Sequence, residues 1–252
     1  MNHSKKLKMR LRKNAIDHMV WEITKNQNAK TAFIFDDLKS NFIDKSFNEI
    51  MSHPEWSERL EKKHTSFTNE TKELQSSNSS DALLMNIFCY PKILEWEGIR
   101  GLLDLKVGDE IEFGWDPKID HQSRGHNTEV DMKIGDKIFE AKLTESDFKT
   151  TKPNKLAKYK DLNKIIDLSK LRIGNDISNY QLIRNIYAAY KHKYTFYLLL
   201  DESRTDLIRA FYQTKNAILN QGLRNKIRFI TWQELIGFCG KELIVFIEQK
   251  YF

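Results

Sequence analysis

Residues 129–142 read EVDMKIGDKIFEAK and hold three side chains whose types and spacing can do chemistry: Asp131, Glu140 and Lys142. Two short alternating runs flank Gly135-Asp136, the pattern of a hairpin closed by a two-residue turn. Such a turn sets the register, so Ile134 faces Lys137, Met132 faces Phe139, Asp131 faces Glu140 and Glu129 faces Lys142. Alternation sends Val130, Met132, Phe139, Ala141 and Leu143 toward a core and puts Glu129, Asp131, Glu140 and Lys142 on the opposite face. Facing residues have Cβ atoms about 4.5–5.5 Å apart, and like charges there destabilise the pair. Two carboxylates so placed share a proton or a cation. Oxygen ligands with no sulfur or imidazole nearby suit Mg²⁺, with Mn²⁺ able to substitute. Lys142 beside a metal-held water can orient that water and stabilise the charge that develops in phosphodiester hydrolysis. The plain alternative is a charged, solvent-facing side of a two-sided strand pair.

Several elements must position these residues. SSDALLMNIF (79–88) predicts a helix through Tyr90 that is capped by Ser80 and ended by Pro91, with Leu83, Leu84, Ile87 and Phe88 on its apolar face. Asp81 on this helix is a candidate to face the site. Residues 93–105 read as a second short helix, and EIEFGW (110–115) as a strand whose Glu112 is another candidate. A polar loop follows at 116–127; it can close over a nucleic-acid groove, and its His121 and His126 read as solvated. Residues 149–172 read as helical or irregular. NYQLIRNIYAAYKH (179–192) is an amphipathic helix with Leu182, Ile183, Ile186, Ala189 and Tyr190 on its apolar side. Gln181 and Arg184, three apart, share another face of it. YTFYLLLD (194–201) reads as a buried strand, 206–220 as a helix, 226–230 as a short strand and 231–238 as a helix. The stretch 242–252 fits either helix or strand. This order suits a mixed sheet covered on both faces. Before it, the first 75 residues read as helix, with helices expected near 37–51 and 54–63. The polar stretch ETKELQSSNSS (70–80) marks a soft boundary.

Composition narrows the function. A chain of 252 residues with 40% hydrophobic and 30% charged residues is globular rather than disordered. Six of the 41 Lys and Arg fall within the first thirteen residues, which hold no acid, and the other 35 match the 35 acids. Residues 149–172 carry eight basic side chains against Asp161 and Asp167. Two basic blocks on a neutral body point to a polyanion. The basic N-terminus fits an arm for a minor groove or a tail without fixed structure, and the tail is the reading adopted. Cys89 and Cys239 form no metal-binding spacing and read as buried free thiols in a reducing compartment. No apolar run is long enough for a membrane span, so a cytoplasmic protein without a membrane partner is expected.

Asp131 followed by Glu140-Ala141-Lys142 resembles the D-x(n)-(D/E)-x-K signature of the PD-(D/E)xK nuclease superfamily. SSDALLMNIF is similar to the first helix of restriction-enzyme-like members. HNTEVDMKI with IFEAKLTESDF is similar to their catalytic strands, NYQLIRNI to a helix carrying Gln-x-x-Arg, and YTFYLLLD to the next core strand. The resemblance covers residues 77–235, and Val130 stands where the signature has Pro. It implies a restriction-endonuclease-like α/β fold, three layers α/β/α with a mixed central sheet, preceded by an N-terminal helical region. Residues 77–252 would form the catalytic domain, and 1–76 would serve DNA contacts or dimerisation. By the same resemblance Asp131, Glu140 and the Ala141 carbonyl bind Mg²⁺, and Lys142 orients the water. Gln181 and Arg184 contact the scissile phosphate or brace Glu140. Glu129 pairs with Lys142 or serves a second metal. Lys149, Lys152, Lys155 and Lys158 would neutralise backbone phosphates. The implied activity is a Mg²⁺-dependent DNA endonuclease, a type II restriction enzyme or related bacterial defence nuclease, cutting duplex DNA as a homodimer. The alternatives are a same-fold repair, recombination or RNA nuclease, or a non-catalytic nucleic-acid-binding module.

Overall fold

The computed structural model describes residues 2–19, 32–63, 71–119 and 129–252. His121, His126 and most of the loop 116–127 lie outside the described residues. Along the chain run α1 (His3–Asn14), α2 (Asp44–Ser52), α3 (Pro54–Ser57), α4 (Ser80–Phe88), α5 (Glu97–Leu103), β1 (Ile111–Trp115), β2 (Val130–Ile134) and β3 (Lys137–Ala141). Then come α6 (Leu162–Ile165), β4 (Arg172–Ile173), β5 (Asp176–Ile177), α7 (Tyr180–His192), β6 (Thr195–Leu200), α8 (Thr205–Asn216), α9 (Gln221–Asn225), β7 (Ile227–Thr231), α10 (Trp232–Ile236) and α11 (Lys241–Tyr251). The chain divides into two compact units, one of residues 1–111, 141–144 and 231–252, the other of 112–140 and 145–230. The polar boundary near residue 76 marks a change of composition and falls inside the first of these stretches.

The second unit is built on a five-stranded mixed sheet in the order β1-β2-β3-β6-β7. Together with the helical N-terminal region this is the α/β, restriction-endonuclease-like arrangement. β2 and β3 form the hairpin in the register set by the turn, Met132 opposite Phe139 and Ile134 opposite Lys137. Gly135 holds φ +53°, a conformation that costs an L side chain about 1–2 kcal/mol. β3 is the middle strand, and all five of its residues are buried. The ring of Phe139 stacks on that of Tyr197 at 5.2 Å. β6 and β7 are neighbours in the sheet, and the chain between them runs through α8 and α9. α7 forms because Leu182, Ile183, Ile186 and Ala189 recur at helical spacing and are buried. It stops at Lys193, whose left-handed backbone (φ 60°) returns its N–H to the last carbonyls.

The first unit corrects two sequence expectations. The basic N-terminus is a helix, not a tail. Leu7 and Leu11, followed by Ala15, repeat every fourth residue and are buried, and α1 packs on α11. Arg12 and Lys13 in its last turn complement the helix dipole. The stretches expected to be helical at 37–51 and 54–63 are shorter helices mixed with 3₁₀ turns, and isolated bridges join Ile34 to Ser76 and Lys63 to Lys72. The undecided C-terminus is α11. Lys250 on it is buried among the rings of Phe35, Phe246 and Tyr251 at 5.5, 5.4 and 4.9 Å and donates to the Asn41 carbonyl. Burial pushes its amine well below the ordinary lysine range. Both cysteines are free, and burial raises the thiol pKa of Cys89 and brings that of Cys239 to about 12. Among the described residues no helix is long and apolar enough to cross a membrane.

Candidate active site

The hairpin register, continued one step from Met132 and Phe139, sets Asp131 across from Glu140. Asp131 is half-buried, whereas Glu140 is 3% exposed. A charged carboxylate is not left in such a place without partners. Asn185 on α7 donates from Nδ2 to Glu140 Oε2 at 2.7 Å, a short bond of the charge-assisted kind. Arg184 Nη2 lies 3.8 Å from the same oxygen. Arg184 is itself held, donating from Nη2 to the Glu129 carbonyl at 3.1 Å and from Nε to Asn185 Oδ1 at 3.1 Å. One helix turn thus fixes both the carboxylate and the backbone that leads into β2. The solvent-facing alternative does not describe Glu140, because it is buried.

Lys142 directly follows β3 in the segment 141–144 and is 5% exposed. Its carbonyl accepts from Trp232 Nε1 at 3.0 Å. Asp81, in the first turn of α4, is 3% exposed and meets Arg59 Nη2 at 3.1 Å and Lys62 Nζ at 2.8 Å. Burial works to raise the Asp81 pKa, but Arg59, Lys62 and, more weakly, Lys142 outweigh it and hold the carboxyl below its ordinary value. Asp81 and Lys142 are therefore electrostatic neighbours, and Asp81 is spent chiefly on the Arg59–Lys62 pair.

The family described as Restriction Endonuclease associating with ARP matches residues 10–252. The chain belongs to that family. No curated protein and no solved structure matches. Membership makes this a restriction-endonuclease-like protein, in the nuclease class of hydrolases, with nucleic acid as its class of substrate.

In this family member the remaining residues singled out in the sequence are placed as follows. Glu112 on β1 is exposed and ion-paired with Lys133. Gln181 is half-buried and anchored by its backbone N–H, which donates to the Phe148 carbonyl at 3.0 Å. Lys149 is exposed at φ 60°, and Lys152 pairs with Asp176 at 2.7 Å. Lys155 and Lys158 line a cavity of the second unit. Asn185 was missed in the sequence. Its signal was present: it lies four residues after Gln181 and next to Arg184, a polar break in a helix whose neighbours are apolar. Arg204 was missed as well. It is fully buried, chelates Asp206 at 2.9 and 3.0 Å, and donates to the Glu145 carbonyl at 2.7 Å.

Proposed function

We propose that the protein is a Mg²⁺-dependent DNA endonuclease of bacterial restriction or related defence, with Asp131, Glu140 and Lys142 as its catalytic residues. The observation that carries this reading is Glu140, buried, braced by Asn185 and Arg184, and across the continued hairpin register from a second carboxylate. Nothing in apolar packing calls for that arrangement, and a charge so buried is costly to keep.

The donor set fits the ion. Mg²⁺ is commonly bound by one or two carboxylates and keeps several waters. Asp131, Glu140 and the Ala141 carbonyl supply that number. Among the described residues no group of three or more His, Cys, Asp and Glu side chains gathers as a metal site, so the proposed ion rests on these two carboxylates and the carbonyl. When bound, the ion would lower the pKa of a water and stabilise charge on a phosphoryl oxygen. Asn185 and Arg184 keep the Glu140 carboxylate in one orientation, so that it need not reorganise. Lys142 lies two residues after Glu140 in the sequence, the spacing that strand alternation assigns to one face. It orients the attacking water and offsets negative charge at the phosphate. Lys149, Lys152, Lys155 and Lys158 contribute sequence-independent phosphate contacts. A homodimer on duplex DNA is the assembly proposed, since a two-fold axis suits a cut in both strands. The association with ARP named in the family description belongs to the same proposal.

The test is incubation of plasmid DNA with Mg²⁺ or Mn²⁺ and wild type, Asp131→Ala or Lys142→Ala. Wild type nicks or linearises the plasmid, and either variant loses about 10²-fold or more in rate. A wild type inert on DNA and RNA with both ions sinks the nuclease reading.

A further inference from the structure

A gathering of positive charge in the second unit lies apart from Asp131 and Glu140 in the lining of a cavity. A cavity of about 850 Å³ is lined by Lys118, Lys155, Lys158, Lys160 and Lys191. Among the described residues no carboxylate lines it. Asp161, next to Lys160 in sequence, bonds Lys164 at 2.8 Å and offsets the charge of Lys160 and Lys191 only in part, one carboxylate against several lysines. Like charges around one cavity raise each other's energy, and an occupant carrying several negative charges relieves that.

The walls are aromatic and fixed. Tyr180 and Tyr187 on α7 line the cavity. The Tyr187 hydroxyl donates to the Lys160 carbonyl at 3.0 Å, and the Tyr180 hydroxyl bonds that of Tyr159 at 3.1 Å. His192 is tied to the Pro117 carbonyl at 2.8 Å. Walls held this way lose little entropy when a ligand enters. Tyr180, Tyr187 and Lys191 are spaced seven and four residues apart and so share one face of α7. Arg184 falls between them on that face, and its guanidinium reaches toward Glu140. One helix therefore connects the cavity to the candidate catalytic carboxylate.

Size selects among phosphate ligands. The volume lies in the range of sites for single small ligands, ~300–1,000 Å³. A duplex cannot enter, since its major groove alone is about 12 Å wide and its phosphates lie on a convex rod. One unpaired nucleotide can. Positive grooves with aromatic walls are the means by which proteins hold single strands. We propose that this cavity is a subsite for nucleotide phosphates, and that its occupant is an unpaired stretch of the nucleic-acid substrate. The identity of that strand rests on the nuclease reading; the anion site itself does not. A free nucleotide carries the same chemistry, and the test separates the two.

The test uses the full chain in chelator, so that nothing is cut. Anisotropy of a short fluorescein-labelled single strand is read against salt for wild type and for Lys160→Ala/Lys191→Ala. Both lysines are exposed, so the substitutions leave the core intact, which a melting curve checks. The double variant should bind the strand about tenfold more weakly or worse. Its slope of log affinity against log salt should fall by about 1.4, ~0.7 for each phosphate that is no longer neutralised. Affinity for the matching duplex should stay within about threefold. Displacement of the strand by ATP or tripolyphosphate would assign the cavity to free nucleotide phosphates as well, and failure of both to displace it assigns it to the strand. Unchanged strand binding in the variant overturns the inference. So does an equal loss for strand and duplex, which would reveal a diffuse basic surface. Plasmid cleavage is scored separately. Lysine-dependent strand binding with no cleavage removes the nuclease reading and keeps the cavity, whereas cleavage with lysine-independent binding does the reverse.

Discussion

Replacing Asn185 by alanine removes the donor that orients Glu140. The two side chains are 0% and 3% exposed, so no bulk water takes the donor's place. The bond removed is 2.7 Å long and ends on a carboxylate, a class worth about 1.5–3 kcal/mol net. Arg184 Nη2, at 3.8 Å, is too far to form a hydrogen bond without moving, and Arg184 Nε loses its Asn185 Oδ1 acceptor in the same step. Truncation of a fully buried side chain adds a small void. The sum is a destabilisation of about 2–4 kcal/mol. Urea unfolding of wild type, Asn185→Ala, Glu140→Ala and the double variant isolates the pair, with an expected coupling of about 1.5–2.5 kcal/mol. On plasmid DNA, Asn185→Ala should cut about 10–100-fold more slowly, the usual cost of losing a residue that orients a metal ligand. A single variant within about 0.5 kcal/mol of wild type, or a coupling below about 0.5 kcal/mol, would show that Asn185 does not hold Glu140.

Leu11→Ala on α1 should cost about 2–4 kcal/mol in the same unfolding assay, because Leu11 is fully buried; an unstructured tail would give no change. Asp81 gives stability above the ordinary carboxylate pKa, because its folded-state value is depressed; that stability is lost as pH falls through the folded value. Acid unfolding below about pH 4 should therefore be steeper for wild type than for Asp81→Asn, and parallel curves would refute the pairing. The Lys250 amine is depressed by burial, so the unfolded chain holds that proton more readily, and stability rises with pH between the folded and the ordinary lysine values. Lys250→Met should flatten this rise and leave stability at neutral pH unchanged or higher by about 1–4 kcal/mol, since the Asn41 carbonyl keeps the Asn86 amide at 3.0 Å. A loss of stability in Lys250→Met would refute this.

The parts of the fold legible in the sequence are those with one strong period. A Gly-Asp turn and strict alternation gave the β2–β3 register, and apolar residues at helical spacing gave α7. α1 was obscured because its six basic residues outweigh Leu7 and Leu11 in any composition reading, although their spacing is helical. α11 was ambiguous because ELIVFIE is apolar enough for a strand. Its buried set, Leu243, Ile247, Lys250 and Tyr251, follows helical spacing and includes a lysine that composition would place outside. β4 and β5, at two residues each, are too short to carry a period. At the candidate site, residue types and spacing were readable, but burial was not. Whether a strand's charged face meets water depends on elements distant in sequence, and only the fold shows Glu140 enclosed and Asn185 against it.

Lys142 has a further consequence for synthesis of the chain. The segment 141–144 is seated by side chains from far along the sequence in both directions: Ser4 Oγ donates to the Thr144 carbonyl at 2.5 Å, and Trp232 Nε1 to that of Lys142 at 3.0 Å. Trp232 lies 90 residues after Lys142. At ribosomal speed that gap takes roughly 5–20 s. Through that interval the proposed catalytic lysine exists as part of a nascent chain without its seat. On the proposed reading, the site would be complete only once Trp232 and the helix it begins have been made.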